Sequence, residues 1–176
     1  MHGQAMDAVT ADAFEDALGV QLRGATRIAI LGVGDDLNPR DRPGILAALL
    51  IHELEVPNVT VFLTGTMPEN YTGALRALRP SHIVLIDSAE MGMAPGSLGI
   101  IHPERVRGQR FSTHAMPLSL VIEYMEGELT TKVLLIGVQP DPAPPTGPAE
   151  ARLSTAVIDG LHILRKAFRR ATRRSG

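Results

Sequence analysis

RIAILGVGDDLNPRD, residues 27–41, decides the fold. Its first half, RIAILGV (27–33), is a short apolar run without alternation that ends in glycine, which reads as a strand buried on both faces. A polar turn follows, and then Asp41 to Leu54 carries Ile45, Leu49 and Leu50 at helical spacing, with Pro43 in the first turn, where proline is tolerated. A buried strand passing through a turn into a helix is the opening unit of an open α/β sheet, and such sheets hold ligands outside the carboxyl ends of their strands. Asp41 sits close to such an end.

The same rhythm continues along the chain. NVTVFLTG (58–65) is the second strand, HIVLIDSA (82–89) the third, LGIIH (98–102) a fourth at a sheet edge, and TKVLLIGVQP (131–140) the fifth. Helices are expected from Pro68 to about Leu78, with Glu69 in the first turn where an acid suits the dipole, from Met116 to Met125, and over 149–172. In the last, Val157, Leu161, Leu164 and Phe168 form one stripe. MGMAPGS (91–97) is a loop, and so is DPAPPTGP (141–148), whose four prolines break helix and ladder alike. Strands alternating with helices imply an α/β fold, a mostly parallel sheet covered on both faces. No internal repeat is present.

A chain of 176 residues favours one domain with a real core. Residues 1–26 form an N-terminal extension, with a helix from Ala5 to Leu22 that places Ala13, Phe14, Leu18 and Leu22 on one face. Residues 27–172 form a single domain with a basic helix end. Aromatics are 3% of the chain and Trp is absent, so the core is built from Leu, Ile, Val, Ala and Met. There is no cysteine, which excludes disulfides, thiolate metal sites and Cys nucleophiles. No apolar run is long enough to span a bilayer, and the first residues lack the pattern of a signal peptide. The expectation is a cytoplasmic protein.

Residues 165–176 (RKAFRRATRRSG) carry six basic groups and no acid, leaving 11 basic and 19 acidic groups elsewhere, a formal charge of −8. An acidic body offers no broad footprint for nucleic acid. The basic end complements a helix dipole and then reaches solvent; the competing reading is a docking tail for an acidic partner.

Three strings put metal-capable side chains beyond strand ends: GVGDDLNPRD (32–41) with Asp41, IDSAEMG (86–92) with Asp87, and FSTHAMPL (111–118) with His114. Taken singly, each has an ordinary explanation. Asp41 stands where a helix N-cap is expected, Asp87 is an acid at a strand mouth, and a loop His is usually solvated. Asp35 and Asp36 read as solvated turn residues. His2, His52, His82, His102 and His162 read as structural. Topology raises the three together, because loops after parallel strands converge at one edge. Two carboxylates and an imidazole suit a hard-to-borderline divalent ion.

Other chemistries fit less well. Leu37 stands where a dinucleotide fingerprint needs its third glycine, and there is no phosphate-cradling loop. Ser112 or Ser119 with His114 lacks the GxSxG elbow of a serine hydrolase. Asp41 and Asp87 do not lie in the Asp-Thr-Gly turns of pepsin-like enzymes.

The strings together resemble the hydrogenase maturation endopeptidases, best the subgroup that processes hydrogenase-3-type large subunits. The resemblance rests on Gly32-Val33-Gly34 with Asp41 beyond it, Gly65-Thr66-Met67-Pro68-Glu69-Asn70, Ile86-Asp87-Ser88-Ala89-Glu90-Met91-Gly92 with Ala94-Pro95-Gly96, Ser112-Thr113-His114-Ala115-Met116-Pro117-Leu118, and Ile136-Gly137-Val138-Gln139-Pro140, in order over about residues 27–165. It implies a three-layer α/β/α fold with a five-stranded sheet. It implies an endopeptidase that removes the C-terminal extension of a nickel–iron hydrogenase large-subunit precursor after nickel insertion. Nickel would be supplied by the precursor and contacted by Asp41, Asp87 and His114, with Asp41 and Asp87 also catalytic by acid–base or metal-assisted hydrolysis. Gly65, Thr66, Glu69 and Asn70, with Ala94–Gly96, would shape the substrate cleft. The protein is expected to act as a monomer.

This chain departs from the family where Gly-Asp-(Asp/Glu)-Gly gives way to Pro39-Arg40-Asp41-Arg42, and where Asn after the glycine turn becomes Asp35. Arg40 and Arg42 would favour ionised Asp41 and oppose a cation. That motivates an alternative, a non-catalytic, nickel-dependent checkpoint for the immature subunit. A small-molecule-binding α/β domain is a third reading, which the missing phosphate motif disfavours.

Overall fold

The computed structural model describes residues 11–102, 117–148 and 153–174. The elements are α1 (Ala11–Gln21), β1 (Ile28–Val33), α2 (Pro43–His52), β2 (Val59–Gly65), a 3-10 turn (Pro68–Tyr71), α3 (Thr72–Leu78), β3 (His82–Ser88), β4 (Leu98–Ile101), α4 (Leu118–Leu129), β5 (Lys132–Val138) and α5 (Thr155–Arg174). The five strands make one sheet in the order β2-β1-β3-β5-β4. All pairs are parallel except β4 with β5. This is the mostly parallel α/β sheet that alternating strands and helices imply, with the short β4 at an edge as expected.

The apolar runs explain the layering. Successive strand residues face opposite sides, so β1 sends Ile28 and Ile30 to one face and Ala29, Leu31 and Val33 to the other. The first face is covered by α1, α2 and α5: Phe14, Leu18, Ala47, Ala48, Ile51 and the expected α5 stripe join Ile30, Val84, Ile86, Leu134 and Ile136 in one core. On the second face, Leu75 of α3 and Leu118, Val121, Ile122 and Met125 of α4 cover Leu31, Ile83, Leu85 and Leu135. Strands β1 and β3 are buried along their whole length, as non-alternating runs require.

Several local readings change. In α2 the buried residues are Pro43, Gly44, Ile45, Ala47, Ala48 and Ile51, whereas Leu49 is 37% exposed. Small alanines let this helix approach the sheet more closely than leucines would: a Cβ on Gly32 would run into the Ala48 methyl. The helix expected from Pro68 begins as a single 3-10 turn and becomes α-helical only at Thr72. Helix α4 runs on to Leu129, past its expected end at Met125. Ala13 lies exposed beside the buried Phe14, Leu18 and Leu22. The basic end of α5 is partly engaged: Arg170 donates to Glu15 of α1 at 2.9 Å, and Arg165 lies 3.9 Å from Glu53. Among the described residues no helix is long and apolar enough to cross a membrane.

His82 opens β3 and is buried. Burial first, and the Lys132 ammonium second, hold its pKa below the ordinary imidazole value of 6.5. The unfolded chain therefore takes up a proton more readily than the folded one, so this contribution to stability is complete above that value and is lost as pH falls below it. Denaturant midpoints measured across this range should fall with acidification, and less steeply for His82→Gln. Equal slopes would contradict the assignment.

Candidate functional site

Strand β1 hands the chain to β2 on one side, while β3 lies on its other side, so the loops after β1 and β3 leave a topological switch point in opposite directions. Helix α2 begins directly over this mouth. A Cβ on Gly44 would overlap the carbonyl oxygens of both Val33 and Ile86, so only glycine lets the first turn of α2 rest on the ends of the two strands. Asp41 lies three residues before Gly44, and Asp87 directly follows Ile86.

Asp41 is not the helix cap that its position suggests. The N-cap of α2 is Arg42, without a side-chain cap bond. The Asp41 side chain turns back into the preceding loop, where Oδ2 accepts the Asp35 backbone N–H at 3.1 Å. Gly34 makes that return possible: its φ is +140°, and a Cβ there would overlap the Asp41 carbonyl oxygen. Asp41 is 3% exposed, and its Oδ1 has no hydrogen-bond partner among the described residues. A buried carboxylate oxygen in that condition is costly unless a proton, a water or a cation meets it. The donor chemistry fits a divalent metal.

Asp87 is completely buried at the end of β3, in register with Gly137 of β5. Its Oδ1 accepts the Ser88 N–H at 2.8 Å. The loops carrying the two acids are joined by the Arg40–Glu90 ion pair and by the packing of Gly44 on Ile86. His114 lies outside the described residues. Among those described, no three His, Cys, Asp or Glu side chains group closely enough to hold a metal. The described part therefore brings two carboxylates to the mouth, short of a full coordination shell.

The Gly65–Asn70 segment borders the same turn, since the Gly34 N–H donates to the Gly65 carbonyl at 2.9 Å. Gly65 takes φ +60°. Thr66 and Glu69 are half-buried, and Asn70 is exposed. Met67 and, in the β1 loop, Leu37 present apolar side chains to solvent, at 42% and 77% exposure. On the other flank the Gly96 N–H donates to the Gln139 carbonyl at 2.9 Å, and Gly96 packs tightly on Gly160 of α5, so Ala94–Gly96 is a braced wall.

The arginines beside Asp41 are both paired: Arg40 with Glu90, and Arg42 with Asp36 at 2.8 Å. Asp36 is thus an ion-pair partner, and Asp35 Oδ1 accepts the Leu37 N–H at 2.9 Å. Glu90 and Gln139 enter the sequence pattern only as members of longer strings, with no individual site role. Gln139 is buried at the end of β5, and its side chain joins the β3 loop through hydrogen bonds to Met91 and Glu90. The one clue in the sequence is an amide closing an apolar run. A cavity of about 490 Å³ opens elsewhere, at the amino ends of β1 and β2, lined by Thr26, Asn58, Arg169 and Arg173 and by no carboxylate. It lies away from both acids.

Residues 46–165 match the HycI hydrogenase maturation protease family, a span that begins after Asp41 and includes Asp87 and His114. The hydrogenase 3 maturation protease of Escherichia coli K12 is 33% identical over 113 residues, covering 64% of this chain and 72% of that protein. The crystal structure of the nickel–iron hydrogenase maturation protease HycI from Thermococcus kodakarensis superposes with a TM-score of 0.77 at 31% identity, over 89% of this chain and 99% of that one. The maturating endopeptidase HybD of Escherichia coli, at 20% identity and a TM-score of 0.63 over 86% of this chain and 94% of its own, shares the fold.

Gly34→Ala should lose about 1–3 kcal/mol of stability, because a side chain is strained at that φ and the Asp41 backbone must also give way. Gly73→Ala, in helix α3 where an added Cβ meets nothing within 4 Å, should match or slightly exceed wild type. Denaturant unfolding of the two variants checks this; equal stabilities would contradict the description of the turn.

Proposed function

This chain belongs to the hydrogenase maturation protease family, and we propose that it reads nickel in its substrate through Asp41, Asp87 and His114 before cutting. Members of this family are peptidases that process the C-terminal extension of a hydrogenase large subunit. In our reading the substrate is the nickel-loaded precursor of a nickel–iron hydrogenase large subunit. The observation that carries the reading is the buried Oδ1 of Asp41, without a hydrogen-bond partner among the described residues, at the mouth that holds Asp87.

The two carboxylates are oxygen donors that suit a divalent ion, and His114 would add a nitrogen. A set of three is too small for a closed structural site. It can complete a shell whose other ligands come with the precursor, and a precursor without nickel then fails to seat. Once the chain is seated, water adds to the scissile carbonyl carbon. A carboxylate of the site accepts the water proton and delivers it to the departing amide nitrogen as the carbon–nitrogen bond breaks. Met67 and Leu37 give the precursor an apolar rim to rest on, and Gly65, Thr66, Glu69 and Asn70 line its path. We assign the protein to the cytoplasm, the reducing compartment that a cysteine-free chain suits, acting as a monomer on one precursor.

The checkpoint alternative drew on the altered Pro39–Arg42 stretch, whose arginines would oppose a cation; Arg40 is paired with Glu90 and Arg42 with Asp36, which favours the cutting reading.

Asp41→Asn should abolish cleavage of the nickel-loaded precursor while leaving stability near wild type, because the isosteric amide oxygen still accepts the Asp35 N–H. Asp87→Asn and His114→Ala should also abolish cleavage. Precursor processing followed on gels, alongside denaturant unfolding, tests this. Cleavage that survives in Asp41→Asn would remove Asp41 from the site.

A further inference from the structure

The Arg40–Glu90 pair looks at first like an ordinary surface ion pair, with side chains 47% and 40% exposed. Such pairs contribute little to stability, because two long side chains must be held in one geometry. Here one partner is held in advance. Gln139 is 4% exposed, and its Oε1 accepts the Met91 N–H at 2.7 Å and the Met93 N–H at 3.3 Å. That fixes the amide. Its Nε2 then donates to Glu90 Oε2 at 3.0 Å, leaving Oε1 of Glu90 for the Arg40 guanidinium. The chain of contacts runs from the end of β5, through the loop after β3, to the residue next to Asp41. It thus connects three loops at the carboxyl edge of the sheet.

We infer that Glu90, oriented by Gln139, is a positioning residue that neutralises Arg40 beside the mouth of β3. The inference rests on the nickel-reading site proposed above. A free guanidinium one residue from Asp41 would repel an incoming metal-bearing substrate and offer Asp41 a competing partner. Glu90 supplies the opposing charge, and the buried amide of Gln139 keeps it turned toward Arg40. Arg42 is balanced separately by Asp36, so each cation flanking Asp41 has its own acid.

The test is steady-state cleavage of the nickel-loaded precursor by wild type, Glu90→Gln, and the double variant Arg40→Gln with Glu90→Gln. Glu90→Gln keeps the shape and removes the charge. KM should rise about tenfold at low salt, the equivalent of roughly 1.4 kcal/mol, with kcat changed less, and the defect should shrink at high salt. The double variant removes the uncompensated cation, so KM should return toward wild type. The three proteins should unfold at similar denaturant concentrations, which excludes a folding defect. If Glu90→Gln matches wild type, or if the double variant is as impaired as the single one, the inference is overturned while the nickel-reading site stands. If wild type does not cut the nickel-loaded precursor, that reading fails and takes this inference with it.

Discussion

Gly44 is the constraint on which the site depends. The first turn of α2 rests on the carbonyl ends of β1 and β3, and any side chain at that position would push the helix off them. Ala47 and Ala48 continue the close approach along the helix, and Gly32 accepts it from the strand below. With α2 pinned there, the loop before it must turn back sharply, which Gly34 permits and the bond from Asp35 to Asp41 completes. The acid after β1 therefore arrives beside the acid that ends β3. Backbone packing, together with the Arg40–Glu90 ion pair between the two loops, brings two acids to one mouth.

That arrangement explains the charge pattern around it. Two acids buried at one mouth, Asp41 at 3% and Asp87 at 0% exposure, are costly to keep out of water. The surrounding ion pairs do not meet Asp41 Oδ1: Arg40 is taken by Glu90, and Arg42 donates to Asp36. Among the described residues, the cations beside Asp41 are balanced while one buried Asp41 oxygen has no partner, which is the feature on which the proposed reading rests.

The strands were legible because a strand buried on both faces needs a continuous apolar run, and IAILGV (28–33), IVLI (83–86) and VLLIGV (133–138) each supply one locally. The α5 stripe was legible for the same reason, since Val157, Leu161, Leu164 and Phe168 repeat at helical spacing. On α2, Ile45 is buried and Leu50 packs on the core as its spacing implies, but Leu49 faces solvent because close packing on the sheet selects the small Ala47 and Ala48 instead. Asp41 read as a helix cap because capping is a local preference, and its actual partner depends on a turn seven residues earlier. The Gln139–Glu90–Arg40 chain was hidden because its members lie 49 and 50 residues apart and meet only through the sheet order. His114 lies outside the described residues, so its place beside the two acids rests on the sequence and on the family resemblance.

The measurement that bears most directly on this account uses one purified precursor prepared with and without nickel. Each form is incubated with the wild-type protein, and the C-terminus is read by mass spectrometry. The account predicts loss of a short C-terminal peptide from the nickel-loaded form alone. Equal cleavage of both forms would show that the carboxylates at the switch point do not read the metal, and would contradict the central claim.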